Sequence, residues 1–582
     1  MSVLPNDGSW VIHFSGFEVH LRAGELRRNG RKVKLQEQPF QILAMLLECP
    51  GEVVTREELR ASLWSADTFV DFDHGLNSAI RRLRDALGDC AENPGFVETL
   101  GHRGYRFVAP VASRVRLGGR PEAIESVAEL PFAYGSLDPD IEYLSDGITE
   151  NLINNLSQIS NLRVMARSTV FRYKGKSADT QKAGNDLHVG AVVVGRLLQR
   201  GSSVIVLAEL VDVATGSQLW SGQFKREAED VFALQDDLSR EISEKLRLRL
   251  TGDEKQRLAK RHTEDAEAYR LYLKGRYHWN KRTPEGVRKA LEYFRQALDK
   301  DSAYALAYAG LADTYAYLSF FSVVPPHEAM PKAKAAAAKA LEIDDQLAEA
   351  HVALGYVSFT YDGDWAAAGK YFEQALAVNL AYCRAHTFYT FYLSSLGRSE
   401  EALAVAKRAL DLDPASPAVS HSLAVQFYLA RQFDQAIEQA NNTVEMDANF
   451  AISYALLGEA FVSKGMHREA LLALDKYSAL SRNSATSRAL LGYSHARLGE
   501  RTEALRMIEE LKTASKQTFV PAFLFALVYA GLEDKDQAFT WLDKAYEERF
   551  NRLAYLKLEA LWDPLRSDSR FTDLLRRIGI PP

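Results

Sequence analysis

The sequence predicts a multidomain chain in which an α+β domain, a second α+β domain and an all-α array follow one another. The 582 residues exceed what a single hydrophobic core organises. Strand and helix signals alternate up to about residue 250, and from about residue 264 small residues recur every 34 positions. We place the domains at residues 1–110, 127–255 and 256–582, with a linker at 111–126.

Composition narrows the class of protein. Hydrophobic residues make up 47% and charged residues 25% of the chain, as in soluble globular proteins, and no apolar run is long enough to cross a bilayer. Because no charged-then-apolar leader follows Met1, we expect a cytoplasmic protein without a membrane partner. Three widely spaced cysteines without C-x-x-C spacing predict neither a disulfide framework nor a zinc site. The net charge of −6 argues against nonspecific coating of nucleic acid.

The first 110 residues begin with strands and continue with helices. Alternating polar and apolar residues around 29–30 predict a β-hairpin with an Asn-Gly turn. Helical spacing follows over residues 35–51, and Thr55 with Glu58 forms the capping-box pattern that starts a second helix. Two short strands around a Gly-His-Arg-Gly turn close the domain, at 96–100 and 105–108.

A third helix within residues 71–89 has two contrasting sides. Its apolar stripe, which must face a core, consists of Leu76, Ile80, Leu83 and Leu87. The opposite side and its flanks carry His74, Asn77, Ser78, Arg81, Arg82 and Arg84. A solvated helix face is the usual explanation of an isolated basic pair. The strands, the other two helices and the terminal hairpin around this helix argue against that explanation.

Residues 10–110 resemble the OmpR/PhoB-type winged-helix DNA-binding domain. The matching landmarks are Leu35, EQPFQILAMLLECPGEVVTREEL, LW, AIRRLRDALGD, VETL and GYRF. This resemblance implies that the helix over 73–87 enters the major groove of double-stranded DNA, with Arg81 and Arg82 at base or phosphate contacts. Arginine suits such a contact because its planar fork reaches guanine O6 and N7 together. The remaining expected contacts are base-edge or phosphate hydrogen bonds from His74, Asn77 and Ser78, and a phosphate contact from Arg84.

The same resemblance makes the terminal hairpin a wing that enters the minor groove. The family commonly has arginine and glycine where this chain has Gly101 and His102, and Arg103 supplies the charge instead. The loop 65–72 matches the segment that contacts RNA polymerase in this family. Acidic residues slightly outnumber basic ones over 1–110, so we expect modest nonspecific affinity and a homo-oligomer or cooperative binding to compensate.

Only nine residues precede Trp10, so we expect no receiver domain there and no control by aspartyl phosphorylation in cis. Any signal would then arrive from the C-terminal side.

The middle segment, 127–255, resembles the TolB N-terminal-like domain, in LPF, YLSDGITENLINNLSQISNLRVMARSTVFRYKGK and FALQDDLSREISEKL. An acidic cluster invites a metal or nucleotidyl-cyclase hypothesis, in Asp138, Asp140, Glu142 and Asp146. Helix capping is the favoured explanation, since carboxylates at a helix N-terminus interact favourably with the dipole and need no metal. No Walker loop, G-x-S-x-G or H-E-x-x-H is present, so neither an enzyme nor a cofactor is predicted.

Two series of small residues, 34 positions apart, run through the last domain. The first is Ala368, Ala402, Ala436, Ala470, Ala504 and Ala538, and the second is Thr390, Ala424, Gly458, Gly492 and Ala526. This period resembles the tetratricopeptide repeat, with about eight repeats, a one-residue excess near Gly363 and a tail at 561–580 that caps the array. The resemblance implies a superhelical groove for a peptide or protein partner. Four aromatics either line that groove or pack in the core: Tyr315, Phe388, Tyr389 and Tyr392.

Together these features predict a sequence-specific, DNA-binding transcriptional regulator whose repeats bind a partner or sense a signal. The alternative is a tetratricopeptide scaffold protein whose winged helix mediates protein contacts.

Overall fold

A computed structural model describes the chain over residues 10–21, 23–28, 31–63, 72–92, 94–101, 103–109, 111, 113–116, 124–134, 139–159, 162–175, 179–200, 203–227, 231–246, 251, 260, 262–281 and 283–580. Two compact units result, Met1–Glu122 and Ala123–Pro582.

Two antiparallel sheets and three helices build the first unit. The larger sheet has the order β4-β3-β2-β1-β8, with β1 at Trp10–Phe14, β2 at Phe17–His20, β3 at Glu25–Arg28, β4 at Arg31–Val33 and β8 at Ser113–Arg116. The smaller sheet has the order β5-β7-β6, with β5 at Val53–Thr55, β6 at Val97–Thr99 and β7 at Gly104–Phe107. The helices are α1 (Glu37–Glu48), α2 (Arg56–Leu63) and α3 (Phe72–Leu87).

The predicted local signals of this unit are present. Strands β3 and β4 pair antiparallel, and their Asn29-Gly30 turn lies outside the described residues. The capping box forms at α2: Thr55 N–H donates to Glu58 Oε2 at 2.8 Å, and Glu58 N–H donates to Thr55 Oγ1 at 3.2 Å. The apolar stripe of α3 is buried, and α3 packs on α1.

The prediction of a linker over residues 111–126 is wrong for part of that range. Residues Ser113–Arg116 form β8, which pairs antiparallel with β1. Strand β9 begins in the second unit at Ser126. The pairing of β8 depends on a strand about a hundred residues away, so the Gly-, Pro- and charge-rich local sequence does not show it.

Asp89 joins the end of α3 to the start of β6. Its Oδ1 accepts from the backbone N–H of Cys90 (3.0 Å) and Gly95 (2.7 Å), and its Oδ2 accepts from Phe96 (3.3 Å) and Val97 (2.7 Å). One carboxylate therefore satisfies four backbone donors where the chain turns from the helix into the hairpin.

The second unit starts with a mixed sheet of order β11-β9-β12-β13-β14, and β10 also pairs with β12. Its strands are β9 (Ser126–Glu129), β10 (Ala133–Tyr134), β11 (Arg163–Val164), β12 (Ala191–Arg200), β13 (Ser203–Asp212) and β14 (Gln218–Glu227). The antiparallel strands β12 to β14 were predicted, whereas the parallel pairing of β9 with β11 and β12 was not. The helices are α4 (Pro139–Leu156), α5 (Arg167–Val170), α6 (Thr180–Asp186) and α7 (Val231–Lys245).

Sixteen helices follow in the described residues from 266 to 547, and short loops join them into eight antiparallel pairs. We call the first helix of each pair A and the second B. The pairs are α8 (Ala266–Asn280) with α9 (Pro284–Lys300), α10 (Ala305–Phe320) with α11 (Pro326–Ile343), α12 (Ala348–Val357) with α13 (Trp365–Val378), α14 (Cys383–Ser395) with α15 (Ser399–Leu412), α16 (Pro417–Leu429) with α17 (Phe433–Met446), α18 (Ala451–Ser463) with α19 (His467–Leu480), α20 (Ala485–Arg497) with α21 (Arg501–Ser515), and α22 (Ala522–Gly531) with α23 (Lys535–Glu547).

Both small-residue series lie where paired helices touch. All six alanines of the first series have no exposed surface. At Gly458 of the second series, an added Cβ would lie 2.5 Å from two side-chain carbons of Leu474 on the partner helix. The predicted interval is therefore a consequence of close backbone approach between A and B helices.

The one-residue excess predicted near Gly363 takes the form of a π-helical turn over Ser358–Asp362. A helices α14, α16, α18 and α20 begin 34 residues apart, but α12 begins 35 residues before α14. A π turn accommodates one additional residue without breaking the helix. Gly363 then ends the turn with a positive φ of 71°.

Residues after the last pair run back along the A helices. This C-terminal segment (549–568) contacts the π turn, α14, α18 and α22. Its Tyr555 lies in one apolar cluster with α12 and α14, and its fully buried Trp562 packs 4.9 Å from the Phe523 ring. The last helix, α24 (Ser569–Ile578), packs beside α23. The predicted capping tail is thus also an internal layer of the array.

The middle domain packs on the first repeats through a shared core that runs from β9 to α12. Buried Glu150 of α4 accepts from Arg276 of α8, at 3.0 Å from Nε, and from Asn280 at 2.9 Å. Farther along, Asp413 accepts hydrogen bonds from Ser168 and Thr169 of α5. The segments predicted as separate domains at 127–255 and 256–582 are one compact unit.

Replacing Asp89 by alanine is expected to destabilise the first unit by about 1.5–3 kcal/mol, the range for hydrogen bonds to a charged group. Thermal and urea unfolding of the full chain measure this change. Asp85→Ala removes an exposed carboxylate from α3 and is the matched control. Equal stability of both variants would contradict the role assigned to Asp89.

Glu129 on β9 is fully buried, and neither carboxylate oxygen has a hydrogen-bond partner among the described residues. Burial raises its pKa well above the ordinary value of 4.5. The folded state therefore binds the Glu129 proton more tightly than the unfolded state does. The contribution of Glu129 to the free energy of unfolding is fully present below about pH 4.5 and is lost as the pH rises through the folded pKa.

Glu129→Gln removes this titration. We expect the variant to match the parent chain near pH 4.5 and to melt at a higher temperature at pH 8, in calorimetric scans of the second unit's transition. A parent chain with the same pH slope as the variant would contradict the prediction.

Candidate nucleic-acid interface

The outward face of α3 presents two exposed arginines on a buried base. Arg81 is exposed, and its guanidinium has no hydrogen-bond or ion-pair partner in the part of the chain that the structure describes. Arg82 is also exposed and donates from Nη1 to the side-chain oxygen of Gln36, directly before α1. Beneath them Ile80 and Leu83 are at most 2% exposed. The helix is therefore fixed by its apolar side while both cations face solvent.

Asn77 belongs to a network that fixes the start of α3. Its Oδ1 accepts from Arg56 Nη2 at 2.9 Å and from the Tyr105 hydroxyl at 3.0 Å. Arg56 Nη1 also forms an ion pair with Asp73 at 2.7 Å. Burial raises the pKa of Tyr105, which keeps its hydroxyl protonated as a donor. The Asn77 amide nitrogen has no acceptor among the described residues and can donate to a ligand.

The sequence did not identify Arg56 as a residue of this network. It is the first residue of α2, and its side chain reaches α3 and β7, so only long-range contacts reveal its role.

Arg84 lies against the terminal hairpin. Its Nη2 donates to the Val97 carbonyl at 2.6 Å and to Thr99 Oγ1 at 2.8 Å, and its Nε donates to the same carbonyl at 3.3 Å. The predicted phosphate contact of Arg84 stays a prediction, and Nη1 is the group with no partner among the described residues. In this structure Arg84 joins α3 to β6.

The hairpin turn holds Arg103 outward. Arg103 is exposed, its N–H donates to Leu100 O at 3.0 Å, and its carbonyl accepts from Arg56 N–H at 3.2 Å. Gly104 has a φ of 155°, and a Cβ there would lie 2.1 Å from the Val54 carbonyl oxygen, so only glycine fits. His102 lies outside the described residues.

The structure describes only some of the remaining predicted contact residues. The half-buried Ser78 lies on α3, with no hydrogen bond from its hydroxyl in the described part of the chain. The backbone of His74 lies in the first turn of α3, but its side chain is outside the described atoms. Residues 65–71 of the loop matched to polymerase contact are likewise outside the described residues.

The acidic cluster of the middle domain is partly ion-paired. Lys174 Nζ lies 2.8 Å from Glu142 Oε1 and 2.7 Å from Asp146 Oδ2. Burial raises the pKa of Asp146, whereas in Glu142 hydrogen bonds from Lys174 and Tyr277 outweigh burial and lower the pKa. The side chains of Asp138 and Asp140 lie outside the described residues. Among the described residues, no group of three or more His, Cys, Asp or Glu side chains could hold a metal ion.

The four aromatics considered for the groove make packing contacts. The rings of Tyr389 and Tyr392 stack at 6.0 Å, and the Tyr392 hydroxyl donates to the Trp365 carbonyl at 2.9 Å. The Phe388 ring lies 5.1 Å from that of Tyr356. Partly buried Tyr315 accepts from Arg295 Nη2 at 2.6 Å. These contacts favour the core alternative.

No helix in the described part of the chain has both the length and the apolar character needed to cross a membrane.

Two family models match the chain. Residues 30–107 match "Transcriptional regulatory protein, C terminal", and residues 123–242 match "HilA/YgeH-like transcriptional regulator, second domain". The second match covers most of the segment in which the sequence showed TolB N-terminal-like motifs.

Individual proteins resemble different parts of the chain. Over 187 residues it is 36% identical to "Putative adenylate cyclase 3" of Rhizobium meliloti, and the alignment covers 32% of each protein. The chain thus spans about a third of the length of that relative. Over 420 residues it is 26% identical to the transcriptional regulator HilA of Salmonella typhimurium, covering 71% of this chain and 73% of HilA.

Among solved structures, the human IFIT1 dimer with PPP-AAAA aligns with 75% of this chain and 95% of its own, at 15% identity and a TM-score of 0.41.

The matched segments and the eight helix pairs agree on one architecture. This chain joins a transcriptional-regulator winged-helix domain of the OmpR/PhoB type to a HilA-like second domain and a tetratricopeptide-like helical array.

Proposed function

We propose that this chain is a sequence-specific, DNA-binding transcriptional regulator that acts in the cytoplasm and inserts α3 into the major groove. The observation that carries this proposal is the exposed guanidinium of Arg81, which no other described residue engages, on a helix whose underside is buried. An arginine without competing contacts breaks no other interaction when it binds, so its guanidinium can contact a guanine or a phosphate directly.

The neighbouring residues then take distinct roles. Arg82 gives up its hydrogen bond to Gln36 and binds a phosphate or a base. Asn77 donates from its amide nitrogen to DNA, while its Oδ1 still accepts from Arg56. Arg84 positions the wing and adds at most a phosphate contact through Nη1. Arg103, with His102, reaches into the minor groove from the hairpin turn, and His74 and Ser78 add hydrogen bonds at the helix start.

The array supplies the regulatory input in this proposal. Its A helices already contact the C-terminal segment and the middle domain. A protein or peptide partner at that face therefore competes with residues 549–568 or uses another surface of the array. Homo-oligomerisation and contact of the loop 65–72 with RNA polymerase complete the proposed mechanism.

No catalytic step is proposed. The family models that match are those of transcriptional regulators, and two carboxylates of the acidic cluster pair with Lys174.

Arg81→Ala is expected to weaken specific DNA binding by about 1–3 kcal/mol, or roughly 5- to 150-fold, because a bidentate base contact is lost. If Arg81 contacts a phosphate instead, binding weakens on all sequences and the salt slope falls by about one. Gel shifts of the full chain, on fragments selected from random duplex DNA, measure both.

Arg288→Ala, at an exposed position of α9, is the matched control and should bind normally. If Arg81→Ala, alone and combined with Arg82→Ala, binds DNA like this control, the regulator proposal fails and the scaffold alternative stands.

A second prediction concerns cooperativity. Residues 1–122 form a compact unit, so this fragment should fold and keep the sequence preference of the full chain. We expect it to bind single half-sites equally well and to lose cooperative binding on paired half-sites, because our proposal assigns oligomerisation to the second unit. Equal cooperativity in fragment and full chain would remove the array from the mechanism.

A further inference from the structure

A cavity of about 140 Å³ lies within the second unit, between the middle domain and the first three repeats. Its middle-domain wall comes from α4 and the residues after it, with Asn151, Asn154, Asn155 and Gln158, and from Gln235 of α7. Its array wall includes the loops before α10, α12 and α14 together with adjoining helix ends, at 304–306, 344–349 and 378–382. The cavity opens to solvent, since Asn154 and Gln346 on its rim are exposed.

Carboxamides are the most numerous polar groups in the described lining. Each carboxamide offers two N–H donors and an acceptor oxygen, and each hydroxyl of a ligand is likewise both donor and acceptor. Some of these carboxamides already form hydrogen bonds within the protein: Asn151 Nδ2 donates to Gln235 Oε1 at 3.3 Å, and Asn155 Nδ2 donates to Ser239 Oγ at 3.3 Å. Neither side chain of Asn154 or Gln158 makes a hydrogen bond in the described part of the chain.

Two buried lining residues have unused polar atoms. Gln235 is 8% exposed and its Nε2 has no hydrogen-bond partner among the described residues. The hydroxyl of Tyr304, which is 0% exposed, also has no partner there. Burying such groups without a hydrogen-bond partner is unfavourable, so a ligand hydroxyl that satisfies them is favoured.

The charges of the lining largely cancel. Lys260 Nζ lies 2.6 Å from Asp344 Oδ1, and His262 Nδ1 lies 3.5 Å from Asp344 Oδ2. Burial raises the pKa of Glu349, which disfavours its charged form. Among the lining residues that the structure describes, an ionic ligand would therefore find no free counter-charge, and its desolvation would oppose binding.

Aromatic rings supply the apolar part of the lining. The rings of Tyr272 and Tyr304 lie 5.2 Å apart at the array wall, and Tyr382 lies at the start of α14. Flat ring faces suit the C–H face of a saturated ring. The volume is close to the roughly 150 Å³ of a cavity that holds one benzene molecule, which limits the enclosed part to a single six-membered ring.

We propose that this cavity binds an uncharged, polyhydroxylated small molecule of single-ring size, such as a monosaccharide or cyclitol, with the amides of α4 and α7 as its hydrogen-bonding groups. Such a ligand bridges the middle domain and the array, so binding stabilises their packing. This binding is independent of the proposed DNA recognition, which resides in the first unit.

The test is calorimetric titration of the full chain, with glucose, galactose, mannose, arabinose and myo-inositol as neutral probes and glucuronate and glucosamine as charged ones. We expect at least one neutral probe to bind with a dissociation constant below about 1 mM and to raise the melting temperature of the second unit. The matching charged probe should bind at least tenfold more weakly.

Two variants locate the site. Asn154→Ala combined with Gln158→Ala removes the two amides that make no hydrogen bond to other described residues, and it should weaken binding at least tenfold. Gln235→Met, which removes the buried amide of α7, should also weaken binding at least tenfold. Asn441→Ala combined with Asn442→Ala removes two exposed amides of α17 and is the matched control.

The proposal is overturned if no neutral probe binds, if a charged probe binds as tightly, or if the rim variant, folded with the melting temperature of the control, binds as the control does. None of these outcomes bears on DNA binding, which the Arg81→Ala gel shift tests separately.

Discussion

The A helices of the array are apolar on more than one side, and much of the second unit is arranged to cover them. Helix α16 buries nine of its 13 residues, whereas the following α17 buries three of 14. A B helix can cover only one side of its A helix. The remaining apolar side must be covered by something else, since leaving it in water costs about 25 cal/mol for each Å² exposed.

The chain supplies that cover itself. The middle domain covers the A helix of the first repeat, and the C-terminal segment covers A helices of later ones. Three side chains of the C-terminal segment bond to one another: Arg552 donates to Glu559 Oε1 at 2.7 Å, and Trp562 Nε1 donates to Glu559 Oε2 at 3.0 Å. Two surfaces that pack across a domain junction also enclose space, and the amide-lined cavity lies at that junction.

The first unit meets the same requirement on a smaller scale. The apolar stripe of α3 is covered by α1 and the sheets, which leaves its basic side for solvent. Arg84 and Arg56 show that an arginine read from the sequence can be engaged within the fold and so be less available to bind a ligand. Both guanidinium groups are largely engaged with Val97, Thr99, Asp73 and Asn77. Arg81, four residues beyond Asn77 on the same helix, has no such partner among the described residues.

The sequence by itself determined the features that depend on neighbours along the chain. Helical period placed the buried stripe of α3, the Thr55–Glu58 pair located the start of α2, and the 34-residue interval gave the eight helix pairs. Tertiary structure alone decided which arginines of the first unit are engaged by other side chains and carbonyls, that residues 113–116 pair with β1, and that the C-terminal segment lies along the A helices. The physical reason is range: a period or a cap involves residues within one or two turns, whereas these contacts join residues separated by tens to hundreds of positions, and the local sequence carries no record of its distant partner.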